Sequence, residues 1–262
     1  MVITTIPIYQ IDAFTDRLFG GNPAAVCLLD SWPEDEVLQN IARENNLAEI
    51  AFLVKNDHDF HIRWFTPAVE VALCGHATLA AAHVLFELKN YAKPRIVFSS
   101  LSGPLVVTKE GTNITLDFPV DPVSGRDPVP GLFEALGIQG EVYQGKTDLM
   151  IVVEDESAVR SVAPDFRKLA EIEVRGVIVT APGTAVDFVS RFFAPASGID
   201  EDPVTGSAHC TLTPYWSKRL KKTQLSALQL SARKGHLHCE LSGDRVKISG
   251  AAITYLTGTI NF

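Results

Sequence analysis

One segment of this chain occurs twice, and that restricts the fold more than any other feature. Asp59-Phe60-His61-Ile62-Arg63-Trp64-Phe65-Thr66-Pro67-Ala68 returns as Asp187-Phe188-Val189-Ser190-Arg191-Phe192-Phe193-Ala194-Pro195-Ala196, identical at six of ten positions and displaced by 128 residues in a chain of 262. The apolar strands before them, Ile50 to Val54 and Ile178 to Pro182, fall in the same gap-free register. A period close to half the length predicts two similar halves. The expected lobes are residues 1–121 and 122–262, with the extreme C-terminus open to pairing with the first lobe.

After each copy come a short irregular segment, a turn and an apolar helix, His76 to Leu88 in the first half and Gly206 to Leu220 in the second. The gap-free offset pairs Cys74 with Asp202 at the two helix starts. Unsatisfied backbone N–H groups in a helix's first turn, together with the helix dipole, attract anions. Two such ends facing each other across a cleft could grip one carboxylate from both sides, so the site is expected between the lobes.

The first half opens as strand, loop, strand. Ile6 to Phe14 runs into a loop marked by Gly20-Gly21-Asn22-Pro23, then Ala24 to Leu29. Pro33 with Glu34, Asp35 and Glu36 forms a helix first turn, and Val37, Leu38, Ile41 and Ala42 share one face of that helix up to Asn45-Asn46. Glu49 therefore lies just after a helix and just before a strand.

Composition excludes several classes. A net charge of -8 and the absence of any basic cluster beyond Lys218-Arg219 with Lys221-Lys222 argue against nucleic acid as a partner. The start, Met1 to Pro7, shows no basic leader, and the most apolar stretch, Ala77 to Leu88, is short for a bilayer and carries His83 and Glu87, so a cytoplasmic protein with no membrane partner is expected. Cys27, Cys74, Cys210 and Cys239 are scattered, without the spacing of a zinc knuckle or a disulfide framework. His236 and His238 share a strand face but lack an evident third ligand, so no metal site is expected.

Three motifs stand in order along the chain: Asp12-Ala13-Phe14-Thr15 with Gly21-Asn22-Pro23-Ala24, then Cys74-Gly75-His76-Ala77-Thr78, then Asp202-Pro203-Val204-Thr205-Gly206-Ser207-Ala208. Together they resemble the signature of PhzF-like proteins over essentially the whole chain. The resemblance implies an α/β (α+β) fold of the diaminopimelate-epimerase type: two pseudo-symmetric lobes, each a mixed sheet wrapped around a central helix, in a homodimer. It also implies that Glu49, in Asn46-Leu47-Ala48-Glu49-Ile50, is the proton-transfer group, here followed by Ile50 where the family commonly carries threonine. Cys74, His76 and Asp202 join it as catalytic candidates, and Asn22, Gly75, Gly206 and Ser207 as substrate-binding ones.

A carboxyl group enclosed in an apolar cleft can both accept and return a proton. On that reading Glu49 isomerises a small carboxylate substrate without a cofactor. Two other readings stand beside it: a thiol-dependent amino-acid racemase or epimerase using Cys74, and a non-catalytic small-molecule binding or interaction protein. Each residue also has a plain structural reading. Cys74 reads as a small buried hydrophobe, His76 as a helix-start packing residue, and Asp202 and Ser207 as capping groups. Arg63 and Arg191 read as structural ion-pair partners, and Trp64, Phe65, Phe192 and Phe193 as core.

Overall fold

A computed structural model describes residues 3–57 and 59–262. Met1 and Val2, with which the expected leaderless start begins, lie outside the described residues. The chain divides into two units: one runs to Asp117 and takes back Ser249–Phe262, and the other is Phe118–Ile248.

The first unit contains β1 (Thr5–Ala13), β2 (Asn22–Leu29), α1 (Asp35–Asn45), β3 (Ile50–Lys55), β4 (Phe60–Phe65), β5 (Glu70–Val71), α2 (Gly75–His83), β6 (Arg95–Ser100), β7 (Gly103–Glu110) and β8 (Asn113–Pro119). The last strand of the chain, Ala252–Asn261, pairs antiparallel with β1 along nearly its whole length. β1 is also antiparallel to β2, β2 parallel to β3, β3 antiparallel to β4, β4 parallel to β6, and β6 antiparallel to β7. β3 is a continuous apolar run, and Ile50 to Leu53 are buried, as expected of a strand covered on both faces.

α1 has Asp35 and Glu36 in its first turn, Arg43 in its last, and buries Leu38, Ile41 and Ala42 before Asn46 ends it at φ 49°. α2 differs in kind, because every residue from His76 to His83 is buried. A helix buried all round is a central helix. Ala77, Ala80, Ala81 and Ala82 keep it thin, and it packs against β1, β2, β3 and the last strand. It continues into a π-helical turn at Val84–Leu88.

The second unit contains β9 (Ser124–Gly125), α3 (Leu132–Leu136), β10 (Glu141–Gln144), β11 (Asp148–Val152), α4 (Glu156–Ser161), α5 (Phe166–Ala170), β12 (Gly176–Pro182), β13 (Phe188–Phe193), α6 (Gly206–Leu220), β14 (Gln224–Gln229), β15 (Gly235–Ser242) and β16 (Arg245–Gly250). β11 is parallel to β12, β12 antiparallel to β13, β13 parallel to β14, and β14 antiparallel to β15. This repeats the β2-β3-β4-β6-β7 sequence of the first unit, direction by direction. α6 is again deeply buried, including His209, Thr211, Leu212, Thr213 and Trp216. Pro214 inside it has no N–H to donate to the Cys210 carbonyl, which instead accepts from the backbone N–H of Asp121 at 3.1 Å.

The repeat is real, but it is not free of gaps. β4 and β13 match at an offset of 128, with Phe65 equivalent to Phe193. Phe65 pairs with Ile50, whereas Phe193 pairs with Val177, so the preceding strands match one residue out of the expected register. The cause is the hairpin: residues 183–187 separate β12 from β13, one more than residues 56–59 in the first unit. Between β13 and α6, residues 194–205 include a 3₁₀ turn at Pro195–Ser197 and exceed residues 66–74 by three.

Inside the repeat the duplicated arginines are structural. Arg63 donates through Nε and Nη2 to both oxygens of Glu70 at 2.7 Å and lies 5.1 Å over the Phe65 ring. Arg191 donates likewise to Glu201 at 2.7 and 2.9 Å and lies 4.9 Å over Phe193. Trp64, Phe65, Phe192 and Phe193 are core.

Candidate active site

In the first unit, the strand and helix ends bring four of the sequence candidates together. Asn22 begins β2, Glu49 immediately precedes β3, Cys74 is the N-cap of α2, and His76 is the second residue of that helix. His76 Nδ1 lies 3.1 Å from Asn22 Nδ2 and 3.6 Å from Cys74 Sγ, while its Nε2 lies 3.2 Å from Glu49 Oε2. The His76 side chain is 5% exposed and that of Glu49 13%. Nε2 and Oε2 are within ion-pair distance, yet neither makes a well-directed hydrogen bond. Glu49 Oε2 therefore stands beside the imidazole without a directed hydrogen bond.

The tautomer follows from these neighbours. In the neutral ring Nδ1 accepts from the Asn22 amide and Nε2, facing Glu49, carries the proton; in the charged ring Nδ1 donates as well, and the Asn22 amide presents its oxygen instead. Burial alone would hold His76 neutral, but the negative charges of ionised Cys74 and of Glu49 outweigh it and raise its pKa well above the ordinary value. Burial, reinforced by Glu49, raises the Cys74 pKa, so that group is a thiol at neutrality. With Cys74 a neutral thiol, Glu49 is the remaining neighbour that favours the charged ring. Burial pushes Cys27, Cys210 and Cys239 up to about 12, and these thiols are inert.

Glu49, Cys74 and His76 also present ligand atoms within 4.8 Å of one another. Their directions suit a metal poorly, because one ring nitrogen faces Cys74 and Asn22 and the other faces Glu49. A tetrahedral ion needs its donors to converge on one point. His236 and His238 lie on the exposed face of β15, and no third ligand joins them among the described residues.

The second unit corrects one expectation. The residue at the start of α6, equivalent to Cys74, is Thr205 and not Asp202: Cys74-Gly75 and Thr205-Gly206 are each N-cap followed by first helical residue. The three extra residues of the preceding connection cause the shift, so Asp202 is not a helix cap either. It is buried, accepts a short hydrogen bond from Thr205 Oγ1, and its carbonyl accepts from Gln229 Nε2 at 2.8 Å. Gln229 Oε1 in turn accepts from the Thr205 N–H at 2.9 Å. Neither helix has a side-chain cap, and each begins with a glycine, Gly75 or Gly206.

Ser207, the second residue of α6, is contacted by a group the motifs did not reveal. Arg175 Nη2 donates to Ser207 Oγ at 3.0 Å, and Arg175 is itself held by the buried carboxylate of Asp148. Two signals could have exposed these missed residues. The shared glycine of Cys74-Gly75-His76 and Thr205-Gly206-Ser207 aligns the helix starts once a three-residue insertion is allowed, and Arg175 precedes β12 as Glu49 precedes β3.

Comparison with known proteins shows the family and the fold. Residues 11–258 match the PhzC-PhzF family, described as phenazine biosynthesis-like protein. The chain belongs to the PhzF family. An uncharacterised isomerase of Pseudomonas aeruginosa is 54% identical over 256 residues, covering 97% of this chain and 98% of that protein. A crystal structure of a PhzF-family phenazine biosynthesis protein from Enterococcus faecalis superposes with a TM-score of 0.95 at 48% identity, covering 98% of this chain and 99% of that one. A predicted epimerase of Pseudomonas aeruginosa shares the fold at a TM-score of 0.74 and 19% identity, with 97% and 99% covered. The α/β, pseudo-symmetric epimerase-type fold and the PhzF-like isomerase family are thereby shown. No helix among the described residues is long and apolar enough to cross a membrane.

Proposed function

We propose that this PhzF-family protein moves a proton between two carbons of a small, conjugated carboxylate, with Glu49 as the proton carrier and no cofactor taking part. The observation that supports this most directly is the 3.2 Å approach of His76 Nε2 to an otherwise unengaged Glu49 Oε2, both side chains being largely buried. A charged His76 is a poor base. It serves instead as the cation beside the base, able to stabilise negative charge that develops on substrate oxygen. Glu49 accepts the proton as a substrate C–H bond breaks and its electron pair enters the π system. The Glu49 O–H then breaks, a C–H bond forms at another carbon, and the double bonds shift without net oxidation.

Asn22 holds the His76 ring in orientation, and Cys74 packs against it as a thiol. Asp202, kept in place by Thr205 and Gln229, is proposed to bind an amino or hydroxyl group. Gly75, Gly206 and Ser207 are proposed to bind carboxylate oxygens through first-turn N–H groups and the serine hydroxyl. The thiol-dependent reading is disfavoured because the counterpart of Cys74 is a threonine whose hydroxyl is already donated to Asp202. Cytoplasmic location and a homodimer complete the proposal.

The test is NMR in deuterated water with a panel of small carboxylates, including dihydro-hydroxyanthranilate-like dienes and amino acids. Wild type is expected to incorporate deuterium or isomerise one of them, and Glu49→Gln to be slower by about 10²–10⁴. Equal exchange by both proteins would remove Glu49 from the mechanism.

A further inference from the structure

The residue immediately before the third strand of each repeat touches the second residue of the central helix. In the first unit this contact is Glu49 to His76, 3.2 Å, and in the second it is Arg175 to Ser207, 3.0 Å. The bracing residue is also placed alike: Asn22 is the first residue of β2 and holds His76, and Asp148 is the first residue of β11 and holds Arg175. The geometry has been kept while the chemistry has been exchanged.

We propose that Arg175 is a positioning residue that orients the Ser207 hydroxyl to donate to a substrate carboxylate, and that its own free guanidinium edge adds a second donor to the same oxygens. This rests on the substrate-binding role given to Ser207 above. A hydroxyl has one proton and two lone pairs. Because Arg175 Nη2 takes one lone pair of Ser207 Oγ, the Ser207 proton is directed away from the guanidinium, and it meets no acceptor among the described residues. A donor fixed in this way before binding is suited to an anion and unsuited to another donor.

Arg175 is built to present a donor and not merely to fill the fold. Asp148 is 1% exposed and takes Nε at 2.8 Å and Nη2 in a bidentate pair, yet the Arg175 side chain remains 42% exposed. The guanidinium lies 5.6 Å over the Phe192 ring, and that ring sits where a side chain on residue 176 would be: a Cβ on Gly176 would lie 2.3 Å from Phe192 Cζ. Carboxylate, ring and serine thus fix the plane of the guanidinium. Nη1 makes no hydrogen bond among the described residues, leaving its donors beside the Ser207 hydroxyl. A planar fork beside a fixed hydroxyl suits the two oxygens of a carboxylate, which a lysine ammonium would not reproduce.

The experiment compares binding of 2-aminobenzoate with that of its neutral carboxamide, 2-aminobenzamide, by NMR titration. Wild type is expected to prefer the carboxylate by about tenfold or more. Ser207→Ala and Arg175→Met should each remove most of that preference, and the double variant should be little worse than either, since the two act as one unit. Arg175→Lys should not restore it. Because Arg175→Met leaves Asp148 as a buried unpaired charge, the variant Asp148→Asn with Arg175→Met provides a form without that charge and should show the same lost preference.

Glu49→Gln should keep the preference while losing exchange, which separates a failure of the proton-transfer reading from a failure of this one. No wild-type preference for the carboxylate, or a wild-type preference retained in the folded Asp148→Asn/Arg175→Met protein, would overturn the proposal.

Discussion

At one junction of strand and central helix the first unit brings a carboxylate to an imidazole, and at the matching junction the second brings a guanidinium to a hydroxyl. The framework around them is the same: parallel and antiparallel ladders recur in order, and each unit has an arginine clamped between a glutamate and a phenylalanine ring. Groups that hold the strands together were kept in both copies. Groups at the helix starts were not: one unit has a carboxylate and an imidazole there, the other a guanidinium and a hydroxyl. A scaffold that tolerates this exchange is one in which the helix start is positioned by backbone pairing and not by its own side chains.

The sharpest way to test that division is with acid, because each central helix carries a histidine in its first turns and the two are driven in opposite directions. His209 is buried without a countercharge, with Nδ1 against the Thr205 carbonyl at 2.8 Å, and burial lowers its pKa to about 4. Its pKa when unfolded is the ordinary 6.5. The unfolded chain therefore binds the proton first, and stability contributed by neutral His209 is complete above about pH 6.5 and falls by about 3 kcal/mol as pH drops toward 4.

His76 has the opposite sign. Its raised pKa gives a contribution that is complete below about pH 6.5 and is lost only as pH rises through the folded value. Histidine ring NMR across this range should show His209 neutral to about pH 4 and His76 charged through neutrality. Parallel titration of the two would break the contrast.

A smaller effect tests the shared framework. Arg63→Met and Arg191→Met each strand a mostly buried glutamate, Glu70 or Glu201, at 24% and 21% side-chain exposure. A cost of about 2 kcal/mol each is expected, less than for a fully buried pair because some solvent reaches both carboxylates. Denaturant midpoints should shift by similar amounts in the two variants. A cost confined to one arginine would mean that the repeated brace is needed in only one copy.

Much of this was legible in the sequence, for identifiable reasons. The duplicated decapeptide marked β4 and β13, because a strand fixed by an arginine brace and core aromatics resists substitution. Glu49, Cys74 and His76 stood in recognisable motifs, and all three meet in the first unit. Asp202 could be found but not placed, since a constant offset cannot register a hairpin longer by one residue and a connection longer by three. Arg175 and Asp148 were out of reach of motif reading. Their contact joins residues 27 apart and becomes visible only when β11 and β12 are laid side by side.

The last comparison is between the helix starts themselves, Cys74 and Thr205, where the smallest effect is expected. Cys74 is buried and its pKa is raised, so at neutral pH it is a hydrogen-bonded thiol and a weak nucleophile. Cys74→Ser should retain proton exchange within about threefold of wild type, corresponding to less than 1 kcal/mol of barrier. Iodoacetamide should modify Cys74 in the native protein only slowly, as judged by mass spectrometry of the alkylated peptide. If Cys74→Ser instead loses exchange as fully as Glu49→Gln, the thiol is the base and Glu49 its partner. If Cys74→Ser is mild, Thr205→Cys should do no more than loosen Asp202, because the new thiol is a weaker donor than the hydroxyl it replaces.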